Sequence, residues 1–146
     1  MISLPAEYTF DADIRRGMKG KNVTFVQEWL SLNGAATGID GDFGSGTEAA
    51  VKKFQQKAKL PVTGIVDQAT FEALTAPAQA ALQPIKAGTK TLGGLVVAYA
   101  QQHLKQRPRE AGGQNKGPWV RLYMKGKQGK EFLWCAGFVS FILRQA

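Results

Sequence analysis

Two sets of residues in this 146-residue chain carry side chains suited to chemistry. Cys135 is its only cysteine and opens an apolar run, with Phe138, Val139 and Ile142 at i+3, i+4 and i+7. That spacing predicts a helix with the thiol in its first turn. There it faces the positive end of the helix dipole, which favours the nucleophilic thiolate form. The small Ala136 and Gly137 would leave room for a substrate backbone to approach. The same residues are also compatible with an inert core cysteine. A thiol nucleophile needs a base, and the only histidine, His103, lies upstream on a different segment. The second set is Asp40 and Asp42, which flank Gly41, together with Gln55. Carboxylate and amide groups can hydrogen-bond a polar ligand. The aspartates can equally serve only to close an Asp/Gly turn. One Cys and one His cannot build a Cys/His zinc site. Asp-Gly-Asp also lacks the ligand spacing of an EF-hand, so no metal and no cofactor is expected.

The elements that position these residues fall into two halves of different character. Residues 1–76 carry 8 Lys/Arg against 9 Asp/Glu, and residues 77–146 carry 11 against 2. The halves are thus −1 and +9, summing to the overall +8. A basic half suits a polyanionic partner, and a solvated basic surface is the plainer reading. No 18-residue apolar run exists to span a membrane, and the N-terminus lacks the basic start and apolar core of a signal peptide.

In the first half, Val23, Val26 and Leu30 share a helix face that Phe25, Trp29 and Leu32 widen. Asn33-Gly34 ends it, and a Gly/Asp-rich loop runs from Thr37 to Gly44. A second helix is expected from Gly46 to Lys59, with Ala50, Val51, Phe54 and Ala58 on one face. Leu60-Pro61 closes it. A third begins near Asp67, a good N-cap residue, and turns Phe71 and Leu74 inward. A shift of 23 residues superposes Gly41 on Gly64, Phe43 on Val66, Thr47 on Thr70, Ala50 on Ala73 and Val51 on Leu74. A glycine turn, an apolar plug and a helix start therefore occur twice, which reads as a compact three-helix unit.

This pattern resembles the peptidoglycan-binding domain type 1 family. The resemblance is carried by Gly20, Val23, Gln27, Leu30, Asp40-Gly41-Asp42-Phe43-Gly44, Thr47, Ala50-Val51, Phe54-Gln55, Leu60, Thr63-Gly64-Ile65-Val66, Thr70 and Leu74, over about residues 14–75. Two positions depart: Thr63-Gly64 replaces the usual Asp-Gly, and Asp67 stands where glycine is common. The resemblance implies peptidoglycan binding without implying which residues touch the ligand; Asp40, Asp42 and Gln55 are the candidates by side-chain chemistry.

Residues 77–89, rich in Ala, Pro and Gln, read as a semi-rigid linker, or as a short Ala-rich helix between Pro77 and Pro84. A helix from Leu92 to Gln106 should share Leu95, Tyr99 and Gln102/His103 on one face. Trp119–Met124 fits helix or strand. Glu110, Gly113-Gln114-Asn115-Lys116-Gly117-Pro118 and Trp134-Cys135-Ala136-Gly137-Phe138-Val139 resemble the opening of the CHAP and NlpC-type peptidoglycan hydrolases, within the papain-like superfamily. By that resemblance Cys135 attacks an amide carbonyl of the stem peptide, and a downstream histidine on a sheet is its base. Here the residues end at Ala146, eleven after Cys135.

The expectation is a mainly α chain: a peptidoglycan-binding domain over 1–76, a linker over 77–89, and the helical opening of a truncated α+β papain-like domain over 90–146. It would act at the bacterial cell wall, binding without cutting, with an exposed Cys135 helix disposed to self-associate. The alternatives are a hydrolase whose base is His103 or a partner's histidine, and a structural or nucleic-acid-binding protein using the basic half.

Overall fold

The computed structural model describes residue 2 and residues 4–146. Six α-helices follow a 3-10 turn at Ala6–Tyr8: α1 Lys21–Leu32, α2 Ser45–Lys57, α3 Gln68–Ala81, α4 Leu92–Lys105, α5 Pro118–Tyr123 and α6 Trp134–Gln145. Extended pairing among the described residues is confined to two isolated antiparallel bridges, Ile14 with Val66 and Lys19 with Asp42. The architecture is mainly α, as the periodicity predicts. The chain divides into two compact units: Ala6–Thr75, and Ala76–Ala146 together with the described residues ahead of Ala6.

In the first unit α1 buries Val23, Phe25, Val26, Trp29 and Leu30, while α2 contributes Ala50, Val51 and Phe54. Phe71 and Leu74 close the core from α3. Phe25 meets Tyr8, Trp29 and Phe71 at ring-centroid separations of 5.3, 6.3 and 5.8 Å, within the range where aromatic pairs attract beyond their buried area. Phe43 and Val66, the two apolar plugs of the repeat, are fully enclosed. Ala58, expected on the inner face of α2, is instead its exposed C-cap. The helix ends two residues early because Lys59 takes a left-handed φ of 58°.

In the second unit Leu95, Tyr99 and His103 line the inner face of α4 at i, i+4 and i+8. Thr91 caps this helix by accepting from the Gly94 N–H at 3.1 Å. The Trp119–Met124 ambiguity resolves as helix up to Tyr123, with Met124 as its C-cap: Pro118 stands at the helix start, where its missing N–H costs nothing. All six residues of α5 are buried, so no amphipathic period was available to read. α6 packs against both α4 and α5. Phe141 and Ile142, expected to be uncovered without a sheet, are buried there.

The stretch expected as a linker is held within the second unit. Helix α3 continues through Pro77 to Ala81. The Ala81 carbonyl accepts from Gln102 at 2.9 Å and from Gln145 at 3.1 Å. Ile85 donates its N–H to the Tyr99 hydroxyl at 3.0 Å. Composition could not disclose these anchors, because they come from residues well downstream.

Candidate functional site

The first unit holds two turns built to one plan, each clamped by a buried glutamine. The Gln27 Oε1 accepts the Asp40 and Gly41 N–H groups at 3.0 and 2.8 Å. Its Nε2 donates to Asp40 Oδ1, the Asp42 carbonyl and Thr47 Oγ1 at 2.9, 3.1 and 3.0 Å. Gln55 repeats every contact one repeat later. Its Oε1 accepts Thr63 and Gly64 N–H, each at 3.0 Å. Its Nε2 reaches Thr63 Oγ1, the Ile65 carbonyl and Thr70 Oγ1 at 3.1, 2.9 and 3.1 Å. Gly41 and Gly64 sit at φ of 74° and 76°, a region that side chains other than glycine rarely adopt.

The departures from the family pattern now have physical roles. Thr63 Oγ1 accepts the Ile65 N–H at 3.1 Å, as Asp40 Oδ1 accepts the Asp42 N–H at 2.9 Å. A hydroxyl thus replaces the carboxylate in the second turn. Asp67 caps α3 by accepting the Thr70 N–H at 2.9 Å. The counterpart in the first turn, Gly44, provides no side-chain cap to α2.

The candidate residues consequently differ in standing. Gln55 is fully buried and uses both polar atoms within the turn. From there its polar atoms clamp the second turn. Asp40 and Asp42 are exposed. Asp40 is held below the ordinary carboxylate range, first by the Asp42 backbone N–H and then by the Gln27 amide. Asp42 pairs with Lys19 at 2.8 Å. The Lys19 ammonium is raised, chiefly by its hydrogen bond to Asp42. The first turn therefore presents two carboxylates and an ammonium to solvent, and the second turn has no charge at the matching positions.

Gln27 was overlooked as a clamp. The shift of 23 aligns the turns but not their glutamines, because Gln27 precedes its turn by 13 residues and Gln55 by eight. The available signal was a polar residue set among the apolar positions of α1, where burial demands hydrogen-bond partners.

In the second unit Cys135 is a free, exposed cysteine in the first turn of α6. Trp134 donates its indole N–H to Glu110 at 3.0 Å and stacks on Tyr123 with the rings 5.8 Å apart and nearly parallel. Gly137 does not make room for substrate as expected. A Cβ there would run into Met124 Sδ and lie 3.2 Å from the Tyr123 carbonyl, so this glycine permits α5 and α6 to touch.

His103 is fully buried, with Nδ1 3.0 Å from the Tyr123 hydroxyl and Nε2 2.8 Å from Gln145 Oε1. Gln145 donates its own amide to Ala81, so Oε1 is an acceptor and Nε2 carries the proton. Tyr123 then donates to Nδ1. Burial pushes the imidazole down, partly offset by the Gln145 bond, and pushes the Tyr123 phenol up. With both ring nitrogens occupied, His103 has no atom free to serve Cys135, and its reading as a catalytic base is corrected. Gln145 and Cys135 lie at opposite ends of α6, a rise of roughly 15 Å at 1.5 Å per residue. Among the described residues no three His, Cys, Asp or Glu side chains converge to hold a metal ion. No helix among them is long and apolar enough to cross a membrane.

Two spore cortex-lytic enzymes of Bacillus cereus are each 36% identical over 91 residues, which is 62% of this chain and 35% of theirs. The zinc D-Ala-D-Ala carboxypeptidase of Streptomyces albus G is 37% identical over 67 residues, 44% of this chain and 26% of that protein. The chain thus spans about a third or less of the length of these relatives. Among solved structures, the SleB N-terminal domain is 41% identical with a TM-score of 0.44, covering 44% of this chain and 90% of that one. A peptidoglycan-binding protein from Clostridioides difficile, in complex with glutamine hydroxamate, is 44% identical with a TM-score of 0.42, covering 43% and 40%. Residues 19–74, which contain both glutamine-clamped turns, match the family model described as "Putative peptidoglycan binding domain", and this stretch of the chain is a domain of that family.

Proposed function

We propose that this protein holds to bacterial peptidoglycan through the unit Ala6–Thr75, with the exposed face of the first turn as the contact. The observation that carries the reading is the family match over residues 19–74 together with a rigid turn that presents Asp40, Asp42 and Lys19 to solvent. Carboxylates accept from sugar hydroxyls and stem-peptide amides, and the ammonium donates to carbonyls and carboxylates. The Gln27 clamp keeps their spacing fixed before ligand arrives, which limits the ordering cost of binding. The test is Asp42→Asn, which removes a charge and leaves Asp40 within the turn hydrogen bonds. Affinity for purified sacculi should fall several-fold while the melting temperature stays within a few degrees. Unchanged affinity would move the contact elsewhere on the domain.

For residues 90–146 the proposed reading is the helical opening of a cysteine-dependent hydrolase of the CHAP or NlpC kind. It rests on the resemblance around Cys135 and on the exposed thiol at the start of α6. In that role Cys135 Sγ would add to an amide carbonyl of the stem peptide while a base takes the thiol proton and the leaving amine is protonated. His103, the only histidine of the sequence, is fully engaged and is not placed to be that base. Hydrolysis by Cys135 therefore requires a base other than His103. The names of the relatives, cortex-lytic enzyme and carboxypeptidase, favour a wall-degrading setting for the binding unit.

A further inference from the structure

The second unit carries an uneven excess of positive charge that neither its core nor the Cys135 helix explains. Of the 11 Lys/Arg in residues 77–146, six stand in two loops: Arg107, Arg109 and Lys116 before α5, and Lys125, Lys127 and Lys130 after it. All six are exposed. Lys116, Lys125, Lys127 and Lys130 enter no salt bridge among the described residues. The two acids of this half are Glu110, which accepts from the Trp134 indole, and Glu131.

The two loops are stitched side by side. Gly129 donates its N–H to the Asn115 carbonyl at 2.8 Å, and the Asn115 amide donates to the Lys130 carbonyl at 3.2 Å. Gln128 Oε1 accepts from the Gly117 N–H at 2.9 Å and from the Arg121 guanidinium at 2.7 Å. Gly117 is locked at φ 114°, where a Cβ would lie 2.7 Å from the Ala111 nitrogen. The segments that carry the four lysines are thereby braced against each other, and gathering like charges is unfavourable without an anion.

We propose that the paired loops 107–117 and 125–130 are a docking surface for a phosphodiester-bearing cell-wall polymer. This rests on the peptidoglycan reading for its setting, since a chain held on a wall meets that polymer at high local concentration. Nucleic acid shares the phosphodiester chemistry and fits the surface less well. The cations lie on loops and not along a helix that could enter a groove. The aromatic side chains beside them are already occupied: Phe132 lies under Lys127, with Nζ 5.9 Å from the ring centroid, and Trp134 is stacked on Tyr123. Neither is free as a platform for bases.

The experiment compares the full chain on intact bacterial walls and on the same walls after chemical removal of the phosphodiester polymer. Intact walls should bind at least about 10-fold more tightly at low salt. Four neutralised phosphates at a slope of about 0.7 each predict a loss on the order of 50-fold between about 50 and about 200 mM salt. The triple variant Lys116→Gln, Lys127→Gln, Lys130→Gln should lose most of the extra affinity and keep the binding to stripped walls. A variant with equal charge loss elsewhere, Lys86→Gln, Lys90→Gln, Lys105→Gln, should keep most of it. Equal binding of the wild type to both wall preparations overturns the proposal. So does equal loss in the two triple variants, or tighter binding of duplex DNA than of the isolated polymer. Binding to intact walls alone, with none to stripped walls, would sustain this surface while removing the peptidoglycan reading.

Discussion

Replacing Gln55 by Leu keeps most of the side-chain volume and removes the amide. The five hydrogen bonds it closes would be lost at once. Thr63 is exposed, so its N–H and hydroxyl can turn to water. The Thr70 hydroxyl keeps its bond to the Asp67 carboxylate, whereas the Gly64 N–H bonds Gln55 in buried surroundings and would be stranded. A stranded buried polar group costs about 1–3 kcal/mol. For a domain of this size each kcal/mol shifts the midpoint by about 4–8 °C. The melting temperature of the Ala6–Thr75 transition, followed by circular dichroism, should drop by roughly 4 °C or more. Gln27→Leu should behave alike, since Gln27 makes the matching set of bonds. A Gln55→Leu protein that melts like the wild type but no longer binds sacculi would refute the clamp and leave Gln55 a ligand candidate.

Phe43→Ala empties a fully buried site and should cost about 3–5 kcal/mol by chemical denaturation, a large part of the stability of a small unit. In the second unit, His103 is held below its ordinary 6.5 by burial. The unfolded chain therefore takes up the proton first as pH falls. The stability this group contributes is full above about 6.5 and is lost below it, by at most about 1.4 kcal/mol per pH unit, a slope that denaturation of wild type and His103→Gln across that range would compare. Asp40, Glu48 and Asp67 are all lowered, each with a hydrogen bond as the largest cause. The stability they give the first unit is present above the ordinary carboxylate range and is lost only as pH falls through it, so the first unit should withstand mild acid that weakens the second. Cys135 should react fully with a thiol reagent in the folded state, and the 146-residue chain should not clear a suspension of sacculi. Clearing that disappears on His103→Ala would overturn the assignment of His103.

Much of the first unit was legible because its signals are local. The spacing of Val23, Val26 and Leu30, the N-cap at Asp67 and the repeated glycine turns each act within a few residues. The clamps were hidden because Gln27 and Gln55 reach across 13 and eight residues to turns that the repeat itself marks. In the second unit, α5 is buried on every side and offered no period. The cover over Phe141 comes from α4 and α5, as the rings of His103 and Tyr123 show at 5.6 and 5.4 Å, and only tertiary packing discloses it. The small size of Gly137 beside the thiol suggested room for a substrate backbone. Its contact with Met124 is a matter of helix approach that no spacing rule reports.

Sedimentation of the purified chain with peptidoglycan sacculi stripped of all attached polymers tests the central claim most directly. The account predicts that the chain pellets with them saturably and at moderate salt, and that Phe43→Ala, once unfolded, stays in the supernatant. A folded wild-type chain left in the supernatant by stripped sacculi from several bacteria would contradict it.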